Sequence, residues 1–347
     1  MAGINIRYNS NSRLLILGFS LIASCSFFAC SDASDLLSLA LSPPKREPIQ
    51  KELVGVNNFF VDREFGSISE QYDDISKTLG LRFVRVLFAW TDDVQRSPNT
   101  SPNFSFYDDI LAKAPPDVDI LVVLAHTPRW FSNPGTRIDP NPRLAWIEQW
   151  LKPTISRYRN HPRIIGFEIF NEPDLLILPQ DAILDLQNPE NYFEMLAEGY
   201  RASKSIAPSK LAIMTGTTSI QQSFPTTLRY NQRLRDLGAE SFTDVWNIHY
   251  YSSSYESVVT SNGVADFLNR IGKPVWVTES GAQGPNNQLA YVETAWPFLK
   301  SKIGSIERFY QYQYGETGPI ETNYGLRTTN REFPLSDLYI HLRDGTR

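Results

Sequence analysis

Two glutamates close two apolar runs in this chain, and they are the residues best suited to do chemistry together. The first run, Ile164-Ile165-Gly166-Phe167-Glu168-Ile169-Phe170, leads into Asn171-Glu172-Pro173-Asp174. Its β-branched and aromatic residues read as a strand buried on both faces, the pattern of a parallel sheet. Pro173 has no N–H to give to a ladder, so the strand stops there and leaves Glu172 at its carboxyl end. The second run, Pro274-Val275-Trp276-Val277-Thr278, ends in Glu279-Ser280-Gly281. Two facing carboxylates can split an acetal. One protonates the leaving oxygen and the other attacks or stabilises the cation-like carbon, provided their pKa values differ. Asn-Glu-Pro alone recurs by chance, so the pairing carries the argument. The plain alternative is that each glutamate only makes a salt bridge at a sheet rim.

The pair must be positioned by the elements around it. Eight apolar runs recur at about 35 residues, the period of a strand followed by a helix. They are 53–56, 83–88, 120–124, 164–170, 211–214, 245–249, 277–279 and 306–310. Between them, Asn141-Pro142 and Asn188-Pro189 read as helix starts, an N-cap with proline at the first helical position. Leu144, Ile147, Trp150 and Leu151 make one apolar face, and Phe193, Leu196, Ala197 and Tyr200 another. Eight such units over 51–347 predict one α/β domain, a (β/α)₈ TIM barrel with its chemistry at the carboxyl ends of the strands. A doubly wound sheet is the alternative. It would carry a glycine-rich phosphate turn after strand one, and Gly55-Val56-Asn57-Asn58 is not one.

Side chains alternate along a strand, so Gly166, Glu168 and Phe170 are expected on the face of Glu172. Glu168 would lie deeper and need a partner, with Arg85 on strand two a candidate. Arg85 would either orient a catalytic carboxylate or merely neutralise Glu168. On strand six, His249 and Tyr251 share a face, and a phenol beside a carboxylate favours its ionised form. His249 could equally be a satisfied rim histidine. His126 and Trp130 follow strand three; Trp130 offers a flat surface for a ring or simple loop packing, as does Trp90. The end of strand eight, Tyr310-Gln311-Tyr312-Gln313-Tyr314-Gly315-Glu316, is expected to add polar and aromatic groups to the same mouth.

Composition narrows the partners. The 347 residues carry a net charge of -5 with no block of Lys or Arg, which argues against nucleic acid. The four histidines show no metal-ligand spacing, so no metal site is expected. At the start, Arg7 and Arg13 flank the short apolar stretch 14–24, a targeting signal rather than a membrane span. Ile22-Ala23-Ser24-Cys25 is similar to a bacterial lipobox; Phe28-Ala29-Cys30 is a poorer match with a more linker-like sequel. Residues 1–30 thus read as a lipoprotein-type signal lipidated at Cys25 or Cys30, with a plain secretory signal as the alternative. Residues 31–50, rich in Ser, Asp and Pro, read as a flexible tether. The expected protein is a monomer outside the cytoplasm, lipid-anchored to the bacterial cell envelope or, under the alternative, secreted.

Taken jointly, the motifs resemble the large clan of retaining (β/α)₈ glycoside hydrolases, clan A, over about residues 51–340. The lead-in Asn160-His161-Pro162-Arg163 before Phe167-Glu168-Ile169-Phe170-Asn171-Glu172-Pro173, the strand-two Arg85 and His249-Tyr250-Tyr251 all match its patterns. Thr127-Pro128-Arg129-Trp130 is similar to family 39, with family 5 nearly as close. The resemblance implies Glu172 as acid/base and Glu279 as nucleophile. It implies Asn171 on the sugar 2-hydroxyl, Arg85 and Tyr251 positioning Glu279, and His249 lining the site. No cofactor is implied. The tryptophan that often ends strand eight in the clan is absent. A transglycosylase would share every residue named, and a catalytically silent carbohydrate-binding barrel is the reading from another class. The sixteen residues Leu175–Glu190 form a long loop after strand four. They imply a wall at a cleft for an oligo- or polysaccharide cut internally.

The amino terminus gives a first test. Changing Cys25 and Cys30 together to serine is expected to move the protein from the membrane fraction to the soluble one. Retention of the double variant on membranes, with normal signal cleavage, would remove the lipid anchor.

Overall fold

The computed structural model describes residues 45–251 and 260–345. Cys25, Cys30, the signal region 1–30 and most of the expected tether lie outside them. Eight parallel strands form the centre: β1 (Val54–Asn57), β2 (Phe83–Ala89), β3 (Asp119–Ala125), β4 (Ile164–Ile169), β5 (Leu211–Met214), β6 (Trp246–Tyr251), β7 (Val275–Gly281) and β8 (Ile306–Gln311). The ladder runs β5-β4-β3-β2-β1-β8-β7-β6. Its two ends meet through two side chains and one backbone bond, from the Asp244 N–H to the Ala212 carbonyl at 2.9 Å. The Asp244 carboxylate accepts from the Ala212 N–H at 2.8 Å, and the Thr243 hydroxyl accepts from the Met214 N–H at 2.9 Å. The seam thus satisfies strand-edge groups that an open sheet would leave unpaired. The result is the expected (β/α)₈ barrel.

The helical segments form the outer layer. Asn141 and Asn188 cap as expected, accepting from the N–H groups of Arg143 and Glu190, with Pro142 and Pro189 at the first helical positions. Helix Pro189–Ile206 buries Tyr192, Met195 and Leu196 against the sheet. Among the described residues no helix is long and apolar enough to cross a membrane. The end of the expected tether belongs to the barrel. The Glu47 N–H donates to the Glu293 carbonyl at 2.8 Å, and Arg46 pairs with the Glu293 carboxylate. Pro43-Pro44 mark the change of composition, but the contacts with helix Gln288–Lys302 are tertiary and invisible to it.

Inside the barrel the lower layer is apolar: Phe83, Leu121, Ile213, Val245, Trp276 and Tyr310 form one cluster. Above it lies a polar layer of Asn57, Arg85, Glu168, Asn247 and Thr278, all buried. Two neighbouring register shifts shape the mouth. Between β6 and β7, Ile248 pairs with Val277 and His249 with Glu279, so Thr278 is an extra residue. That bulge breaks the alternation. Thr278 donates to Asn247 inside the barrel while its neighbour Glu279 still reaches the mouth.

Gly166 shows how tightly β4 is seated. A Cβ there would lie 2.8 Å from the Leu211 Cβ and 2.9 Å from the Leu211 carbonyl oxygen. Backbone cannot yield as a flexible side chain can. Gly166→Ala is therefore expected to lower stability by about 1–3 kcal/mol, read as a lower midpoint in urea unfolding.

Candidate active site

The site is built upward from one guanidinium. Arg85 projects from β2 into the polar layer, and all five of its N–H groups are used. Nε and one N–H of Nη2 hold Glu168 at 2.8 and 3.0 Å. Nη1 donates to Asn57 at 2.9 Å and to Glu279 at 2.6 Å, and Nη2 donates to the side-chain oxygen of Asn171 at 2.8 Å. Burial opposes the charge on Arg85, but Glu168 and Glu279 outweigh it and hold the guanidinium protonated. Glu168 Oε1 also accepts from Asn247 at 2.9 Å and from the Gly216 N–H at 3.2 Å. The two expectations for Arg85 are therefore not alternatives: it neutralises Glu168 with one edge and grips Glu279 with the other.

Glu279 is held at both oxygens, by Arg85 and by the Tyr251 hydroxyl at 2.9 Å. Burial opposes its ionisation, yet His249, Arg85 and Tyr251 together keep its pKa below the ordinary glutamate value. Glu172 is displaced the other way. Burial raises its pKa, repulsion from Glu279 and Asp174 adds to this, and the bond to His249 only partly offsets it. His249 Nδ1 lies 2.9 Å from Glu172 Oε1 and 3.6 Å from Glu279 Oε2. Burial opposes protonation of its ring, while Glu279 and Glu172 raise its pKa above the usual imidazole value. One oxygen from each acid and one ring nitrogen lie within 4.8 Å of one another. This trio offers three ligand atoms to a cation. Arg85 and Tyr251 already occupy both Glu279 oxygens, and the adjacent guanidinium repels a second positive charge, so the donor set does not suit a metal.

The segment carrying Glu172 is pinned rather than loose. The Glu172 N–H donates to the Gly216 carbonyl at 3.1 Å, and Asp174 accepts from the N–H and hydroxyl of Thr218. Phe170 departs from the expected parity. Its φ is +77° and that of Glu172 is +44°, so the strand alternation ends at Ile169. The Phe170 ring packs against Trp146 and His126 instead of following Glu168 into the barrel.

Asn171, Glu172, Arg85, His249, Tyr251 and Glu279 are brought together at the mouth. His126 borders the same cleft, but its Nδ1 is 2.8 Å from Asp181 Oδ2, and Thr127 donates to the other oxygen of that carboxylate at 2.9 Å. Trp130 is not in the cleft. Its indole N–H donates to the Gln95 carbonyl at 2.7 Å and its ring sits edge-on to the buried Trp90, so the loop-packing alternative holds for both. Of the strand-eight tyrosines only Tyr312 reaches the mouth; Tyr310 fills the lower apolar layer and Tyr314 donates to Asp74. Tyr312 directly follows the end of β8, with Tyr251, Tyr324 and Phe59 at 5.9–6.0 Å around it. Asn57, Phe59, Asn247 and Ile177 were not among the expected site residues. Asn57 was visible at a strand end, but only its contact with Arg85 marks it out.

The sequence model of the Cellulase family, glycosyl hydrolase family 5, matches residues 45–312. No curated protein matches the chain. Among solved structures, a family 39 glycoside hydrolase from the gut symbiont Bacteroides cellulosilyticus WH2 is similar at 18% identity and a TM-score of 0.62, over 86% of this chain and 64% of that one. The chain thus spans less than two thirds of that enzyme. The endo-β-1,4-mannanase of Thermotoga petrophila is similar at 18% identity and a TM-score of 0.57, over 84% of this chain and 76% of that one. A monomeric β-xylosidase from Caulobacter crescentus CB15 follows at 16% identity and a TM-score of 0.59, over 88% and 69%. At these identities the structures share the barrel. The sequence model covers most of the chain and both glutamates, and the protein belongs to the Cellulase family, glycosyl hydrolase family 5.

Proposed function

We propose that the barrel hydrolyses O-glycosides with net retention, using Glu172 as acid/base and Glu279 as nucleophile. The carrying observation is the pair itself: two carboxylates with oxygens less than 4.8 Å apart and pKa values displaced in opposite directions. Inverting enzymes hold their carboxyls about 6.5–9.5 Å apart to admit a water, and retaining ones about 5–5.5 Å. Glu279, kept ionised, attacks the anomeric carbon while protonated Glu172 gives its proton to the departing oxygen. The bond from carbon to the leaving oxygen breaks as the glycosyl ester to Glu279 forms. Glu172, now ionised, takes a proton from water, which attacks the same carbon and expels Glu279. Asn171 accepts from Arg85 through its oxygen, which leaves its amide N–H groups for the sugar 2-hydroxyl. Tyr312 supplies the aromatic floor. A silent binding barrel would not need acids so tuned; a transglycosylase would differ only in the acceptor replacing water. By the same reading the enzyme acts as a monomer on a carbohydrate substrate outside the cytoplasm, tethered by a lipid on Cys25 or Cys30.

NMR of the first-formed anomer tests the core of this reading; an inverted sugar from the unmodified enzyme would overturn both assignments. Glu279→Ala is expected to abolish turnover on every substrate. Glu172→Ala is expected to lose about 10²–10⁴-fold on poor leaving groups but keep glycosylation by an activated aryl glycoside. Azide should then give that variant a glycosyl azide of retained configuration. The pH profile has a definite sign. Activity needs Glu279 ionised and Glu172 protonated, so kcat/KM should rise below the ordinary glutamate range and fall above it. On the aryl glycoside, Glu172→Gln should lose the falling limb.

Gly216 gives a test that spares every catalytic atom. A Cβ there would lie 2.3 Å from His249 Cδ2 and 2.4 Å from Nε2, so the imidazole must shift. Gly216→Ala is expected to lower kcat/KM on the order of 10²-fold in a protein that still folds. Unchanged kcat/KM would show that His249 does not hold Glu172.

A further inference from the structure

The loop after β4 presents an aliphatic edge beside the proposed proton donor. Leu175, Leu176 and Ile177 are 47%, 42% and 39% exposed, three consecutive members of the six large exposed apolar residues described. They begin one turn after Glu172, whose carbonyl accepts from the Leu175 N–H at 3.0 Å. Ile177 borders the same cleft as Glu172 and Glu279, while Leu175 and Leu176 line a separate hollow with Phe170 and Pro173 and the polar Asp181, Asp185 and Gln187. The loop is held in this position. Asp181, further along it, is clasped by His126 and Thr127 from the end of β3. Apolar side chains kept in water beside a reaction centre call for an occupant.

We infer that this edge receives an apolar leaving group, so that the substrate is a glycoside of an alkyl or lipid-like alcohol. The inference rests on the glycosidase reading above. Its geometry follows from where the proton goes. Glu172 protonates the glycosidic oxygen, so the group beyond that oxygen leaves on the Glu172 side of the cleft. A further sugar there would press hydroxyls against aliphatic side chains that can neither accept nor donate, which is costly. Trp130, expected as a stacking surface, is turned into the loop packing instead. A hydrocarbon chain on the same side chains gains by leaving water. On this inference the reaction is release of an alcohol at a single glycosidic bond, in place of the internal cleavage of a polysaccharide that the length of the loop led us to expect.

The test starts from a panel of p-nitrophenyl glycosides, which identifies the accepted sugar. Methyl, butyl, hexyl and octyl glycosides of that sugar are then compared below their critical micelle concentrations, with the matching disaccharide and tetrasaccharide. The expected result is a kcat/KM that rises about two- to four-fold per added CH₂ and exceeds that of the oligosaccharides. In Leu175→Ser/Leu176→Ser/Ile177→Ser the octyl-to-methyl ratio of kcat/KM should fall at least ten-fold; Leu176→Ser alone should lower it in the same direction should the triple variant misfold. The ratio cancels any general loss of activity. Turnover with no dependence on chain length, or a preference for the tetrasaccharide, overturns the inference and leaves the glycosidase reading standing. No turnover on any glycoside overturns both.

Discussion

The site depends on a single buried cation. Arg85 lies in the barrel interior with every N–H group bonded. Its planar fork sets where its partners lie. Glu168 takes the edge facing β4 and β5, Glu279 the edge facing β7, and Asn57 and Asn171 the remaining donors. Removing one partner of such a buried pair generally costs about 3–5 kcal/mol, because the other is left uncompensated. The same contacts that keep the polar layer from collapsing therefore fix the proposed nucleophile.

That charge arrangement also divides the two acids. Two carboxylates, Glu168 and Glu279, share the single guanidinium of Arg85. Burial already disfavours an ionised Glu172, and the neighbouring Glu279 disfavours it further. His249 stands between the two acids and links their states. A proton on the imidazole supports both carboxylates, and Gly216 packs against the far side of the ring with no room for a side chain. The separation of pKa values is thus a property of the whole polar layer and not of either glutamate.

The aromatic and aliphatic parts of the mouth take different parts in the proposed reaction. Tyr312, Tyr251 and Tyr324 cluster on the β8 side beside Glu279, where the sugar ring would rest. Ile177 borders the cleft on the β4 side with Glu172, and the exposed Leu175 and Leu176 precede it in the same loop. On the proposed reading, a cleft divided in this way distinguishes the two halves of a glycoside by chemistry rather than by length alone.

The barrel was legible in the sequence because its strands are short apolar runs bounded by turn residues, and all eight runs overlap observed strands. Asn141-Pro142 and Asn188-Pro189 encode their helix starts locally, through a side chain two residues from its acceptor site. Glu172 and Glu279 were legible for a similar reason: each ends a run, and the end of a parallel strand faces the mouth. What depends on partners far along the chain was not legible. Parity failed at Phe170, where a positive φ ends the alternation, and at Thr278, where a bulge admits two inward residues in succession. Trp130 and Tyr312 were indistinguishable as loop aromatics, since only Gln95 and Trp90 on one side, and Tyr251 on the other, decide which ring reaches the cleft. Sequence determined which residues stand at strand ends, because that follows from local hydrogen-bonding and burial patterns. Tertiary structure alone decided which of them share Arg85, because a buried charge chooses its partners by distance in space.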